Sequence, residues 1–288
     1  MFNHSPLRYP GGKSRVSGFI AQLIKDNNIV EGTYVEPFAG GAGVALNLLF
    51  NGVVKNIYIN DKDRSIYAFW KAITESTEDF INKIININIT IDEWEQQRKI
   101  QLNKNEADLF DLGFSTFFLN RTNRSGIIMG GVIGGKAQAG DWKLDVRFNK
   151  EKLISKILKI AEHKNNIIIQ NKDAMELLKT DVPTLDIKNT LIYLDPPYYK
   201  QGQKLYMNSF THQQHVCLFE EINKMKHLWL VSYDDCPEIH NIYKSKRNIT
   251  YPLRYTACIK YSGKEAMFAS DNLIVNTECN PLLCKKAI

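Results

Sequence analysis

The sequence has no apolar run that could cross a membrane and few of the residues that build disulfide frameworks or zinc sites. None of its apolar stretches approaches the ~20 residues of a membrane-spanning helix, and its first residues lack the apolar core of a signal peptide. Its cysteines number only five, and none has the C-x-x-C spacing of a metal site. We therefore expect a cytoplasmic protein with no metal ion and no membrane partner.

The charge of the chain is only mildly unbalanced. Its 37 lysines and arginines exceed its 31 aspartates and glutamates, which gives a formal net charge of +6. This excess favours a polyanionic partner only weakly, because many small basic proteins bind none. At 288 residues the chain is long for one hydrophobic core, so we expect two domains or one domain with a large insertion.

Short apolar runs alternate with helical patterns through much of the chain. The β-prone runs lie at 33–38, 56–60, 166–170, 190–194 and 228–232. Helical spacing of apolar residues follows them at 44–49, 65–73, 174–178 and 213–225. This alternation predicts an α/β fold with a parallel, doubly wound sheet. A closing hairpin is predicted from 255–261 and 272–276.

The alternation stops in the middle of the chain. Three helical patterns at 80–89, 94–100 and 108–119 are followed by a stretch, 126–140, in which six of fifteen residues are glycine. We therefore predict one α/β domain, formed by residues 1–73 and 164–288. A mostly helical domain, residues 74–163, with a glycine-rich hairpin or loop, would be inserted into it.

The tetrapeptide Asp195-Pro196-Pro197-Tyr198 follows the apolar run at 190–194. Its prolines end the strand abruptly, at the edge where open α/β sheets bind ligands. The carboxylate and the free backbone carbonyl are both acceptors, which suits a planar amino group, and the ring can stack on a heterocycle. Taken alone, the tetrapeptide is also compatible with a strand end followed by a turn.

A glycine-rich turn, Glu36 to Gly43, joins the first predicted strand to a helix. Glycines let the backbone approach a ligand closely, and the helix N-terminus that follows is electropositive. About 20 residues later, Asp61 ends the next strand, where an acidic residue can bind ribose hydroxyls. The pair favours an adenosine-type ligand and does not separate NAD from S-adenosylmethionine.

The segment Arg8 to Ser14 ends in Gly-Lys-Ser, as a P-loop does. A P-loop needs a glycine five places before Gly12, and Leu7 stands there without a preceding strand. This excludes a nucleoside triphosphatase site. The segment is basic and aromatic, so it could instead lie over a cofactor, with Lys13 beside a carboxylate.

The inserted region combines the residue types that bind nucleic acids. Between Leu119 and Lys152 there are seven basic and three acidic residues, a local excess of +4. Arginine, asparagine and glutamine side chains read base edges, and lysine and arginine bind phosphates. A solvated, charged loop remains the alternative.

In their order along the chain, these motifs resemble those of the Dam-like (D12 class) N6-adenine DNA methyltransferases. In that family the cofactor motif precedes the recognition domain and the catalytic motif. The resemblance covers most of the chain. It implies a Rossmann-like, S-adenosylmethionine-dependent methyltransferase sheet with an inserted target-recognition domain. It also implies a bacterial or phage enzyme, monomeric in solution, that methylates adenine in double-stranded DNA and releases S-adenosylhomocysteine.

The resemblance assigns roles to individual residues. The catalytic residues would be Asp195, Pro196, Pro197 and Tyr198. In the cofactor site, Glu36 to Gly43 would hold the methionine end, Asp61 the ribose and Asp173 the adenine side. The full cofactor set is Tyr9, Gly11, Gly12, Lys13, Glu36, Pro37, Phe38, Gly40, Gly41, Asp61, Asp173 and Asp195. DNA contacts are predicted at Arg8, Asn120, Asn123, Arg124, Lys136 and Gln138.

The sequence departs from the family pattern at three positions. Ala42 replaces the last glycine of the cofactor turn. Met129 stands where GATC-methylating relatives carry the arginine that reads guanine, and Arg124 stands where they carry a tyrosine that enters the base stack. These two differences argue against GATC as the target sequence.

Three other functions are weighed against this one. A methyltransferase could act on RNA or on a protein side-chain amide, and the Arg/Asn/Gln-rich insert favours DNA over both. A dinucleotide oxidoreductase would share the glycine-rich turn, and it should bind NAD. A catalytically silent DNA-binding protein should have a damaged tetrapeptide, whereas Asp195 to Tyr198 is intact.

Overall fold

The computed structural model describes residues 4–8, 13, 16–29, 31–200, 210–255, 261–275 and 281–282. Within these ranges, seven strands form one sheet in the order β3-β2-β1-β4-β5-β7-β6. The strands are β1 Thr33–Glu36, β2 Asn56–Asn60, β3 Ile167–Gln170, β4 Thr190–Leu194, β5 Leu228–Asp234, β6 Arg247–Tyr255 and β7 Tyr261–Ala269. The first five are parallel, and β7 runs antiparallel between β5 and β6.

Helices connect the parallel strands and fill the insert. They are α1 Ser17–Asp26, α2 Gly43–Phe50, α3 Arg64–Glu75, α4 Thr77–Asn86, α5 Ile91–Leu102, α6 Leu109–Thr122, α7 Lys150–Glu162, α8 Ala174–Thr180, α9 His212–Lys224 and α10 Pro237–Ile242. No helix of the described ranges is long and apolar enough to span a membrane. The predicted α/β class and the parallel sheet are confirmed.

The sheet is buried on both faces because side chains alternate along each strand. In β4, Leu191 and Tyr193 belong to one hydrophobic cluster, and Ile192 and Leu194 belong to the cluster on the other face. This two-sided burial explains why the strand reads as a continuous apolar run. The acidic groups Glu36 and Asp195 therefore stand at the carboxyl ends of their strands.

The order of the strands fixes where a ligand can bind. The first strand, β1, pairs with β2 on one side and with β4 on the other. The chain reverses its direction of winding at this point, which opens a crevice beyond the carboxyl ends of β1 and β4. Glu36 and Asp195 lie at those two ends.

The helices of the insert pack on α3 rather than forming a separate core. Phe69 of α3 lies 6.1 Å from the ring of Phe80 in α4 and 6.1 Å from that of Phe117 in α6. These rings belong to the same hydrophobic cluster as one face of the sheet. The insert is thus tied to the α/β core through α3, while its division into a separate domain stays a prediction.

The sequence prediction was accurate for the central strands and wrong for the terminal hairpin. The strands predicted at 56–60 and 190–194 are confirmed to the residue. The hairpin strands are Arg247–Tyr255 and Tyr261–Ala269, not 255–261 and 272–276, of which 256–260 and 276 lie outside the described residues. The error arose because charged and polar residues interrupt the apolar pattern in both strands.

Candidate active site

A cavity of about 510 Å³ lies at the carboxyl edge of the sheet. Its walls come from the turn after β1, from residues that follow β2 and β4, and from the insert. The predicted site residues on its wall are Lys13, Glu36, Pro37, Phe38, Gly41, Asn120, Asp61, Asp173, Asp195 and Pro197. The structure therefore brings the predicted cofactor and catalytic motifs together in one cavity.

Glu36 ends β1 and is 5% exposed. Its Oε1 accepts hydrogen bonds from the Tyr34 hydroxyl at 3.0 Å and from the Ala45 backbone N–H at 3.3 Å. Burial raises the pKa of Glu36 to about 8, with the two hydrogen bonds acting in the opposite direction. A cationic ligand in the cavity would therefore stabilise the ionised form of Glu36.

The turn after Glu36 needs two residues in the left-handed region. Gly40 and Ala42 both have a φ of 46°. Glycine adopts this conformation freely, whereas alanine is strained in it by roughly 1–2 kcal/mol. The turn adopts this conformation with alanine in place of the last glycine of the family pattern, at the position where a glycine would be unstrained.

Asp61 fixes this turn to the neighbouring strand. Its Oδ2 accepts the Gly40 N–H at 3.0 Å, and its Oδ1 accepts the Asp63 N–H at 2.9 Å. Burial raises the pKa of Asp61 to about 6. Trp70 secures the other side of the turn by donating its indole N–H to the Gly40 carbonyl at 3.0 Å.

Asp173 lies at the opposite wall and is partly exposed. Its side chain caps α8 by accepting the Met175 N–H, and it pairs with Lys62 at 2.9 Å. Burial acts to raise the pKa of Asp173, but the hydrogen bonds from Lys62 and Met175 outweigh it and lower the pKa. The Lys62 ammonium therefore favours the ionised form of this carboxylate.

Asp195 is held by two groups on the same oxygen. The Ser232 hydroxyl donates to Oδ1 at 2.9 Å, and the Lys13 Nζ lies 3.4 Å from that oxygen. Burial raises the pKa of Asp195 to about 6, with Lys13 acting in the opposite direction. The contacts from described residues leave the second carboxylate oxygen available to a ligand in the cavity.

Tyr198 is 4% exposed. Its hydroxyl accepts a hydrogen bond from Lys13 at 2.8 Å and donates one to Glu265 at 2.7 Å. The aromatic rings on the cavity wall, among described residues, are those of Phe38, Tyr193 and Phe210. A ring that stacks on a base in this structure would therefore be one of these, unless Tyr198 rotates.

The chain after the tetrapeptide is held by an aspartate that the sequence reading missed. Asp234, at the end of β5, accepts the backbone N–H of Tyr199 at 2.8 Å and that of Lys200 at 3.0 Å. The sequence feature that could have identified Asp234 is the pair of adjacent acidic residues, Asp234 and Asp235, at the end of a predicted strand. This carboxylate fixes the backbone direction in which Asp195 is presented.

Asn120 connects the N-terminal segment to the insert. It is 1% exposed, accepts the Arg8 N–H at 2.7 Å, and donates to the carbonyls of Arg8 and Gly126 at 2.9 and 2.8 Å. Arg8 in turn donates to the Asn123 carbonyl at 3.2 Å. These three partners of the amide are main-chain groups, so the Asn120 side chain joins the N-terminal segment to the insert.

Asn123 and Gln138 are likewise bonded to the protein's own main chain. Asn123 is fully buried and donates to the carbonyls of Ile127 and Ile128 at 3.0 and 2.7 Å. Gln138 donates to two carbonyls of its own loop and accepts the Leu144 N–H at 2.9 Å. Internal hydrogen bonds use the amides of Asn120, Asn123 and Gln138 in this structure, and their DNA-contact role stays a prediction.

The other predicted DNA contacts remain at the surface. Arg124 is exposed. Lys136 is exposed as well and pairs with Glu95 at 2.8 Å. The remaining cofactor predictions, Tyr9, Gly11 and Gly12, lie outside the described residues. The predicted catalytic residue Pro196 is buried and follows Asp195.

The sequence of the chain matches the model of a known family. A family model, the D12 class N6 adenine-specific DNA methyltransferase, matches residues 9–257. The chain belongs to this family. A curated relative, the type II methyltransferase M.MjaIII of Methanocaldococcus jannaschii, is 25% identical over 224 residues, which cover 71% of this chain and 72% of the relative.

The methyltransferase also has a distant structural match. A conserved hypothetical protein of Streptococcus pyogenes covers 84% of this chain and 88% of its own at 10% identity, with a TM-score of 0.32. A likeness this low has no bearing on function. The assignment of this chain as an adenine-specific DNA methyltransferase rests on the family match.

The insert of the methyltransferase contributes a cavity wall that the sequence reading missed. Leu102, Lys104 and Asn105, which follow or end α5, line the cavity near Asp61. Lys104 pairs with Asp63 at 3.0 Å. Nothing in the sequence pattern links residues 102–105 to the strand ends, because their proximity depends on how α5 packs.

The raised pKa of Asp195 predicts the pH dependence of methyl transfer. A protonated aspartate is a much weaker acceptor than a carboxylate and carries an O–H donor, so the single-turnover rate should fall as the pH drops through about 6. Rapid-quench rates with saturating DNA and cofactor, between about pH 5 and pH 8, measure this. A rate that stays constant down to about pH 5 would contradict the prediction.

Proposed function

We propose that this methyltransferase transfers the methyl group of S-adenosylmethionine to the N6 amine of an adenine flipped out of duplex DNA, at a target other than GATC. The observation that carries the proposal is the single cavity that joins the turn after Glu36 to Asp195. A methyl donor and an amine acceptor must meet in one space for direct transfer.

The residues of the cavity fit this cofactor in charge and chemistry. The acidic groups Glu36, Asp61, Asp173 and Asp195 line the wall, and the cofactor carries a sulfonium and an ammonium. Glu36 would hold the methionine end, Asp61 the ribose and Asp173 the adenine side. When bound, S-adenosylmethionine supplies an electrophilic methyl group.

Asp195 would activate the target amine. The lone pair of an exocyclic adenine amine is delocalised into the ring, which makes the nitrogen a poor nucleophile. Asp195 and the Pro196 carbonyl accept its two N–H groups and draw it towards sp³ geometry. With a pKa of about 6, the Asp195 carboxylate can also take up the proton that nitrogen sheds after methylation. A positioned acceptor of this kind supplies rate by electrostatics.

Flipping is required because N6 is inaccessible inside the duplex, and it costs a few kcal/mol. Aromatic stacking offsets part of this cost, at about 1–3 kcal/mol per base. Phe38 and Phe210, whose rings lie 5.8 Å apart, line the cavity and can supply this contact. Tyr198 stays hydrogen-bonded to Lys13 and Glu265 and does not line the cavity.

A group of cations near the N-terminal segment supports a DNA-binding surface. Arg8, Arg121, Arg147 and Lys156 have no acidic partner among the described residues. Burial, followed by repulsion from Arg8 and Arg147, lowers the pKa of Arg121 to about 10. Burial and the charge of Arg121 lower the pKa of Lys156 to about 8. A DNA phosphate would supply the missing counter-charge.

The target is proposed to differ from GATC because of three apolar residues that the insert contributes to the cavity wall. Ile127, Ile128 and Met129 line the cavity. An apolar side chain at position 129 cannot make the two hydrogen bonds by which an arginine recognises guanine.

Methyl transfer from radiolabelled S-adenosylmethionine tests the proposal. The purified protein is given duplex DNA, single-stranded RNA or a mixture of unmodified proteins, and the products are hydrolysed and separated. N6-methyladenine in duplex DNA is expected. Label in RNA or protein would favour the alternative substrates, and binding of NAD without transfer would favour an oxidoreductase. Size-exclusion chromatography tests the further expectation that the protein is a monomer, metal analysis by mass spectrometry tests the expectation that it holds no metal, and cell fractionation tests the expectation that it is cytoplasmic.

Asn120→Ala and Arg124→Ala should separate structure from DNA contact. Asn120→Ala removes the partner of three main-chain groups, the buried Gly126 carbonyl and the partly buried N–H and carbonyl of Arg8, so it should lower the free energy of unfolding by at least about 2 kcal/mol. Arg124→Ala should leave stability within about 0.5 kcal/mol and weaken DNA binding at least about fivefold. Denaturant titration and fluorescence anisotropy measure the two quantities. Unchanged DNA affinity in Arg124→Ala would remove this residue from the interface.

A further inference from the structure

A glutamate on the antiparallel strand β7 is buried directly behind the catalytic tetrapeptide. Glu265 is 0% exposed. It pairs with Asp234 of β5 and with Tyr251 of β6 in the strand register. Charged side chains are almost never fully buried unless they are paired, so this position requires specific partners.

The partners of Glu265 are the functional residues themselves. Its Oε1 accepts Lys13 Nζ at 2.5 Å and the Tyr198 hydroxyl at 2.7 Å. Its Oε2 accepts the Tyr251 hydroxyl at 2.6 Å. Glu265 therefore contacts both Lys13 and the ring of the tetrapeptide, and Tyr251 fixes the carboxylate from the other side.

The distances around Lys13 reveal what this contact does. The ammonium lies 2.5 Å from Glu265 and 3.4 Å from Asp195, so its shorter bond goes to the residue that faces away from the cavity. A lysine paired with Asp195 alone would bond closely to the acceptor that the adenine amine needs. Glu265 draws the ammonium back while leaving it close enough to stabilise the Asp195 charge.

The charge state of Lys13 depends on the two carboxylates beside it, those of Asp195 and Glu265. Burial alone would lower the pKa of Lys13, but the carboxylates of Asp195 and Glu265 raise it well above its ordinary value. The ammonium is thus retained at neutral pH between two carboxylates. The titratable groups around Lys13 and Asp195 are Glu36, Glu265 and the tyrosines Tyr34, Tyr193, Tyr198, Tyr233 and Tyr251.

We propose that Glu265 is a positioning residue for methyl transfer, which acts through Lys13 by holding its ammonium away from the Asp195 acceptor and by fixing the hydroxyl of Tyr198. The inference rests on the proposed function, since it concerns the same reacting site. It assigns a role to a residue that does not itself line the cavity.

The test is a double-mutant cycle of Glu265→Gln and Lys13→Met, measured by single-turnover methyl transfer. Glu265→Gln should lower kcat by at least about tenfold and change the KM for cofactor by less than about threefold. Since the charge of Glu265 raises the pKa of Asp195, the acid limb of the pH–rate profile should move to lower pH. In the Lys13→Met background, Glu265→Gln should cause little further loss. Glu75→Gln, at an exposed glutamate of α3, is the matched control.

A purely structural role for Glu265 predicts different results. Losses that add in the double mutant, or a pH–rate midpoint that does not move, would overturn the proposal. If Glu265→Gln does not fold, Tyr251→Phe removes one hydrogen bond to the carboxylate and keeps both charges. It should lower kcat severalfold with unchanged cofactor affinity, and a wild-type kcat would overturn the proposal. Absence of DNA methylation by the wild-type protein would instead overturn the proposed function.

Discussion

Asp195→Asn should lower the single-turnover rate of methyl transfer by at least about a hundredfold while cofactor affinity changes only severalfold. The substitution keeps the size of the side chain and removes its charge. In the wild-type protein, Oδ1 of Asp195 accepts a hydrogen bond from the Ser232 hydroxyl and faces the Lys13 ammonium. An asparagine that keeps these contacts must point its amino group at the target amine, where two donors would oppose each other.

The measurement for Asp195→Asn combines rapid-quench kinetics with calorimetric titration of S-adenosylmethionine. Asp26→Asn is a suitable control, because Asp26 is exposed and its side chain accepts a hydrogen bond from Gln22 of the same helix. This control should match the wild type in both quantities. Near-normal turnover in Asp195→Asn would refute the catalytic assignment, and an equal loss of cofactor affinity would turn Asp195 into a binding residue.

Glu36→Gln should stabilise the cofactor-free protein at alkaline pH and weaken cofactor binding about 10-fold or more. The pKa of Glu36 is about 8, above its ordinary value, so the folded state holds a proton that the unfolded state has released. Its contribution to stability is full below about pH 4.5 and is lost as the pH rises through about 8. Glutamine removes this loss and retains an oxygen for Tyr34 and Ala45.

Thermal unfolding at two pH values and calorimetric titration check the prediction for Glu36. Without cofactor, the Tm of Glu36→Gln should exceed that of the wild type at about pH 8.5 and equal it at about pH 5. Glu75→Gln, at an exposed position, should follow the wild type throughout. A variant that binds S-adenosylmethionine as tightly as the wild type would exclude Glu36 from the cofactor site.

The parts of the site that could be predicted from sequence are those where local chemistry is conspicuous. The apolar run that ends in Asp195-Pro196-Pro197 identified β4 to the residue, because both faces of that strand are buried and proline ends it. The turn after Glu36 could be predicted because its glycines stand between a strand and a helix. Topology then brings the two strand ends together.

The parts that could not be predicted depend on contacts between distant residues. Glu265 interrupts an apolar pattern, so β7 was assigned to the wrong residues, and its partner Lys13 lies 252 positions away. Asn120 and Asn123 have the side chains of base-reading residues, but tertiary packing directs their amides to main-chain groups. A single sequence does not show which polar groups become buried.

Single-molecule sequencing of DNA from cells that express the protein tests the central claim most directly. Wild-type protein should produce N6-methyladenine at one recurring sequence other than GATC, and the Asp195→Asn variant, expressed at the same level, should produce none. Unmodified DNA from the wild-type culture, or the same methylated motif in the Asp195→Asn culture, would contradict the claim.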